Sequence, residues 1–326
     1  MNDWPLTHRT LLTSTLAAIC FLLALPARSQ SPQTPPAGLV RAAIQNELAD
    51  DANVHLFAWK ASTDRGHKTR MERDVQTPDG VVSRVILIDG KPLNPGQQSE
   101  ENARVREMLA PEQMQRKLKD QQEDDARTRK MLEAIPDAFD FVYLDSTTAP
   151  NGHQLTTFKF TPRPGYNPPS REVAVFTGMQ GELVVDETAR RLAKVDGTLF
   201  KDVNFGWGIL GRLYKGGRFL VEKSEITPTH WDTTHTMVHF DGKVLIFKSL
   251  HIDENETDWD FKPVPPMSVG QALDYLNHSD TPQDASSPTS SGSSLASPSA
   301  ARSDPAVSHT RVLALNSSQS SLRRKP

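Results

Sequence analysis

Four histidines fall late in the chain, His230, His235, His239 and His251, and their donor type suits a zinc-like ion. Asp232 would add a carboxylate to that set. His235 and His239 stand four apart on an expected strand, so both point to one face. The usual rise places them about 13 Å apart, too far to share one ion without help from a partner strand. His251, on the next strand, would have to approach one of them. His235, His239 and His251 are therefore the metal candidates, and the competing reading is that they pair across the sheet as ordinary strand residues.

Other constellations are less productive. Asp253, Glu254, Glu256, Asp258 and Asp260 form an acidic cluster, but a calcium loop usually needs a glycine to turn it, and none is present. A solvated acidic loop is the expectation. Gly206-Trp207-Gly208-Ile209-Leu210-Gly211 spells the dinucleotide fingerprint, yet the residues after it lead into a strand rather than the helix that must meet the pyrophosphate. No Gly-x-Ser-x-Gly elbow occurs, and no spacing of Ser, His and Asp singles out a triad. No catalytic residue is nominated and no cofactor is expected.

The ends of the chain bear on where such residues would work. Residues 11–25 are almost wholly apolar, and Pro26-Ala27-Arg28-Ser29 then supplies small residues, the pattern of a secretory signal covering residues 1–29. Cleavage after Ser29, or after Ala27, and an uncleaved anchor are the alternatives; the run is shorter than the roughly 20 residues of a spanning helix. Cys20, the one cysteine of 326 residues, lies inside the run. The exported part would carry no disulfide and no thiolate, so a core must hold it together. Residues 30–37 read as a linker and residues 266–278 as a C-terminal extension. Residues 279–326 are rich in Ser and Pro, a composition that buries too little surface to order itself. The net charge of −3 gives no reason to expect nucleic acid.

The elements that would position everything else are strands. Asp79-Gly80, Asp89-Gly90, Asn151-Gly152, Asp196-Gly197, Gly216-Gly217 and Asp241-Gly242 read as tight turns between alternating apolar and polar segments. A helix is expected over residues 38–49. Strands come next, near 54–61, 68–76 and 81–89. Residues 99–133 lack turn signals beyond Pro111 and are rich in Glu, Gln, Lys, Arg, Ala and Met, which predicts one long helix with a shorter one before it. Residues 119–130 are polar all round and must face water. Strands resume at 139–145 and 155–161, and Ser170 should cap a short helix. Further strands are expected near 182–186, 191–195, 199–207, 218–226, 234–240, 243–250 and 257–261. The fold class is mainly β (α+β): a curled antiparallel sheet of about eleven strands forming a half-barrel, since so many strands would curl or close.

Several short motifs carry a family likeness: Met179-Gln180-Gly181-Glu182-Leu183-Val184-Val185-Asp186, Gly197-Thr198-Leu199, Asp202-Val203-Asn204-Phe205-Gly206-Trp207-Gly208, Leu210-Gly211-Arg212-Leu213, Lys215-Gly216-Gly217 and Ile135-Pro136-Asp137-Ala138-Phe139. With the export signal, the N-terminal helix and the helical insertion after the third strand, the chain over residues 38–265 resembles the LolA/LolB-like superfamily of outer-membrane lipoprotein carriers, and within it a group of secreted bacterial proteins. The resemblance implies an incomplete barrel lidded by helices around an apolar cavity that takes acyl chains.

Aromatic residues on inward faces would line that space: Phe57, Trp59, Phe141, Phe158, Phe160, Phe205, Trp207 and Phe219. The same alternation also builds a solid core, and the residues do not distinguish the two. Three functions are compatible with these features. The first is a periplasmic, non-enzymatic binding or carrier protein for an acyl chain, lipid or other apolar ligand, with a lipid or lipoprotein as partner and transient membrane contact. The second is a structural or interaction protein of the envelope with a protein partner. The third is a metal-dependent hydrolase using the late histidines.

Overall fold

The computed structural model describes residues 36–50, 55–205, 211–244 and 248–278. The export signal with Cys20, the Ser/Pro-rich tail, Trp207 and Phe247 lie outside the described residues. The chain begins with α1 (Pro36–Asp50), then β1 (Phe57–Arg65), β2 (Lys68–Thr77), β3 (Gly80–Ile88) and the two-residue β4 (Lys91–Pro92). The helical insertion is α2 (Pro95–Met108) and α3 (Pro111–Ala138). β5 (Phe139–Thr148) and β6 (Gln154–Pro162) lead to α4 (Arg171–Ala174) and a 3-10 turn, Val175–Gly178. The remaining strands are β7 (Met179–Asp186), β8 (Arg191–Leu199), β9 (Val203–Phe205), β10 (Gly211–Leu213), β11 (Arg218–Thr227), β12 (His230–Val244) and β13 (Lys248–Pro263), before α5 (Val269–His278).

All thirteen strands join one sheet, whose main path runs β4-β3-β2-β1-β13-β12-β11-β8-β7-β6-β5. Every pairing is antiparallel. β9 and β10 continue alongside β12 where β11 stops. β4 and β5 end the path, so the sheet is open rather than closed into a barrel.

Two of the turn signals are not turns. Asp196-Gly197 lies inside β8 and Asp241-Gly242 inside β12. These glycines make room across the sheet. A Cβ on Gly197 would meet the Phe219 ring at 2.3 Å, and one on its partner Gly181 would meet the Asp196 carbonyl oxygen at 1.9 Å. Aromatic rings therefore lie over side-chain-free strand, a device that lets a sheet bend. The acidic cluster is likewise strand: β13 runs unbroken through it, because alternate carboxylates find partners on β1, such as Arg65 with Glu254 at 2.8 Å.

Two buried glutamates hold helices to this sheet. Where β7 pairs β8 the register slips past Ala193, and where β2 pairs β3 it slips past Ile86. A bulge leaves strand N–H groups without ladder partners. Glu47 of α1 accepts from the Leu192 N–H at 3.2 Å, and Glu101 of α2 accepts from the Val85 N–H at 2.9 Å. Each carboxylate also has a cation: Lys223 pairs with Glu47, and Arg104 donates to Glu101 at 2.6 Å and 2.7 Å. Glu47 is 2% exposed, so its charge is compensated by these partners rather than by water.

The apolar contacts divide into two clusters. The larger joins α1 (Val40, Ala43, Ile44) and the end of α3 (Met131, Ala134, Ile135) to Phe139, Phe158, Phe160, Phe176, Leu183 and Leu199. The smaller joins Val105 of α2 to Ala58, Val75 and Val82, closed by α5 through Ala272, Leu273 and Leu276. α3 serves both. Lys117 near its start donates to the Val81 carbonyl on β3, its polar middle has no buried residue from 112 to 130, and its last turn meets β5. A helix of 28 residues, about 42 Å long, reaches between strands near opposite ends of the sheet path.

Removing one member of a buried pair costs about 3–5 kcal/mol, and an exposed pair is worth below about 1 kcal/mol. Glu47→Ala should therefore lower the unfolding free energy in urea by about 3 kcal/mol. Glu47→Gln, which keeps an acceptor for Leu192, should lose less. Arg41→Ala, which removes an exposed pair with Asp137, should lose under about 1 kcal/mol. Equal effects for all three would refute the clamp. Gly197→Val, which drives a side chain into the Phe219 ring, should cost about 1–3 kcal/mol in the same titration.

Candidate functional site

The polypeptide leaves β6 through a proline-rich loop, residues 162–169, where few backbone donors are left for a sheet. Gly165 there adopts φ +77°, which lets the loop fold back so that the Tyr166 N–H reaches the Arg163 carbonyl at 3.1 Å. A cleft of about 440 Å³ opens between this loop, the 3-10 turn and the turn after β8. Thr161, Pro162, Arg163, Pro164, Gly165, Tyr166, Thr177, Gln180, Phe200 and Lys201 line it. Its volume is in the range of small-molecule sites.

The chemistry of the lining is cationic and aromatic. Arg163 is fixed: its Nε donates to Asp140 Oδ1 at 3.0 Å and its terminal nitrogen to the Phe139 carbonyl at 3.1 Å. The Lys201 ammonium lies 5.5 Å from the centroid of the Phe200 ring, and Phe200 is 37% exposed. Burial, and then the neighbouring Asp137 carboxylate, push the Tyr166 phenol above its ordinary pKa. Two residues along β5 from Asp140, the sheet edge exposes Val142, Tyr143 and Leu144 in succession. Leu144 is the extra residue of a bulge, since the register with β6 passes from Tyr143 to Asp145.

The aromatic residues nominated from the sequence lie elsewhere. Phe158 and Phe160 are buried in the larger core with Phe139 and Phe176, and Phe219 covers Gly197. Phe141 and Phe205 pack against the rim of that core. Phe57 and Trp59 both meet Phe261, at ring distances of 6.4 Å and 6.0 Å. Trp59 also borders a crevice of about 30 Å³, room for a water molecule. α1 and the end of α3 share one buried apolar cluster with the strands they face.

The late histidines separate. His235 is held by Glu222 at 3.0 Å and Asn255 at 2.8 Å, across both neighbouring strands. His239 and His251 do approach each other, with ring centroids 5.9 Å apart, on an exposed face where Asp253 and Asp241 are their partners. His230 departs from all three and meets His55 and Asp50 instead. His55 lies 175 positions away in sequence, and Asp50 ends α1; only the packing of α1 on the sheet brings them together. Of the glycine fingerprint, Gly211 opens β10, so a strand stands where a nucleotide-binding helix would have to begin.

No helix among the described residues is long and apolar enough to cross a membrane. No protein-family model and no curated protein matches the chain. Among solved structures it is similar to a DUF1329 family protein from Desulfovibrio piger, at 10% identity and a TM-score of 0.25, over 74% of this chain and 100% of that one. It is also similar to MucB in its complex with MucA(peri), at 9% identity and a TM-score of 0.19, over 68% of this chain and 98% of that one. These scores are too low to carry an argument about fold or function.

Proposed function

We propose that the protein is an exported, non-enzymatic binding protein for an amphiphile, a molecule with one anionic group and an acyl or other apolar portion. The observation that carries this reading is the cleft beside β5. Lys201 offers positive charge, Arg163 a guanidinium held by Asp140, Tyr166 a donor and Phe200 an apolar face; further along β5, Val142, Tyr143 and Leu144 are exposed. Each buried methylene would contribute about 0.8 kcal/mol, so part of an acyl chain gives useful affinity. The signal-like residues 1–29 and the resemblance to lipoprotein carriers support export to the periplasm and a lipidic ligand. That resemblance would put the ligand in the interior; this reading puts it in the open cleft, whose lining combines cationic, donor and aromatic groups.

Saturable binding of a dansyl-labelled fatty acid is the expected outcome, read by fluorescence. Lys201→Glu and Phe200→Ser, both on the surface, should each weaken it by about tenfold, or about 1.4 kcal/mol, without changing the melting temperature. Absence of saturable binding, or wild-type affinity in both variants, would sink the proposal.

A second reading is an envelope partner protein that adds a strand to β5. It is favoured by that strand's open edge and its run of three exposed large apolar residues. A photocrosslinking residue at Leu144 should then capture one partner in intact cells, and one at Lys91 on the opposite end of the sheet should not. No adduct at Leu144, or the same adduct at both positions, would count against it.

A further inference from the structure

We propose that Asp50, His55 and His230 form a binding site for a divalent transition metal of the zinc type, with Asp232 orienting His230 from behind. Their candidate ligand atoms all lie within 4.8 Å of one another. Asp50 Oδ1 is 2.9 Å from His55 Nε2, and Asp50 Oδ2 is 3.6 Å from His230 Nδ1. The other ring nitrogen of His230, Nε2, faces Asp232 Oδ2 at 3.4 Å.

His230 carries the argument. The residue is 8% exposed, and its Nδ1 is buried with no hydrogen-bond partner. A buried polar atom left this way costs about 1–3 kcal/mol and calls for an explanation such as an ion. With the Nε2 proton directed at Asp232, the Nδ1 lone pair is the one aimed at Asp50 and His55. A carboxylate behind an imidazole whose opposite nitrogen is open is the usual arrangement of a metal-binding histidine.

The surroundings hold this geometry. The His55 and His230 rings stack at 3.9 Å between centroids, and Phe57 stacks on His230 at 5.1 Å, which restricts rotation of the rings. Arg191 forms an ion pair with Asp50 Oδ2 at 3.1 Å. Asp50 Oδ1 is hydrogen-bonded to His55 Nε2 at 2.9 Å, the contact that the ion would replace. Zinc–ligand bonds of about 2.0–2.2 Å put tetrahedral ligand atoms about 3.3 Å apart, so on loading the wider separations in this group close and the 2.9 Å Asp50–His55 contact opens. Two nitrogens and one carboxylate oxygen suit zinc and its neighbours better than calcium or magnesium. Three protein ligands leave a fourth position, and His55, whose side chain is 26% exposed, marks the side open to solvent.

The test uses the untagged full chain, stripped with a chelator and titrated with zinc chloride by calorimetry, with bound metal counted by mass spectrometry. One zinc per chain and a raised melting temperature are expected. His230→Gln and His55→Ala should each abolish the bound zinc; because His55 is partly exposed, its variant should fold even if the other does not. Asp232→Asn should keep the stoichiometry and weaken affinity about 10–100-fold. A chain with His239→Ala and His251→Ala together should bind as wild type. Folded wild-type protein that takes up no zinc overturns the proposal, as does binding that survives His55→Ala or that disappears with His239 and His251.

Discussion

A strand N–H released by a bulge and answered by a helix carboxylate is the contact on which this architecture turns. It occurs twice, at Leu192 with Glu47 and at Val85 with Glu101. A sheet this wide must bend, and it bends partly through bulges, each of which disturbs a hydrogen-bond ladder. A buried donor without a partner would cost about as much as a good core contact gains. The two glutamates remove that cost and in the same stroke fix where α1 and α2 lie. Lys223 and Arg104 then compensate the carboxylates, so the helices are tied by groups that cannot leave without stranding a charge.

Placement of α1 has consequences at its C-terminal end. Three residues after Glu47 comes Asp50, one turn along the same helix, and it meets His55, Arg191 and His230. The clamp and the histidine cluster are therefore one polar region running from the larger core to the start of β12. The cleft proposed for an amphiphile, beside the loop after β6 and the turn after β8, shares none of its residues. The two proposed sites can be examined separately.

The larger core gathers Phe158 and Phe160 with Met131 and Ile135 of α3 in one buried cluster. Interiors of this kind are close-packed, so a change of even one methylene is felt. The cleft proposed as a binding site is lined by other residues, from the loop after β6, the 3-10 turn and the turn after β8.

Much of this was legible in the sequence. The antiparallel meander, its strand count, the inserted helix pair and the polar middle of α3 all follow from alternation, turn chemistry and propensity, which act over a few residues. Residues 266–278, expected only as a C-terminal extension, contain α5: Val269, Ala272, Leu273 and Leu276 follow a helical period, and Ser268 and Gln271 cap each other's N–H groups at 3.3 Å and 2.8 Å. The glycines of Asp196-Gly197 and Asp241-Gly242 misled, because a glycine required beneath an aromatic ring or close to a neighbouring backbone looks the same in sequence as one required by a turn. The pairing of His230 with His55 and Asp50 had no local signal at all. It depends on the seat of α1 and on the pairing of β1 with β13, and those are settled by contacts between residues more than a hundred positions apart, such as Glu47 with Leu192 and Phe57 with Pro263. Local sequence could specify the strands and helices; which side chains share a site was decided by how the bent sheet and the clamped helices pack.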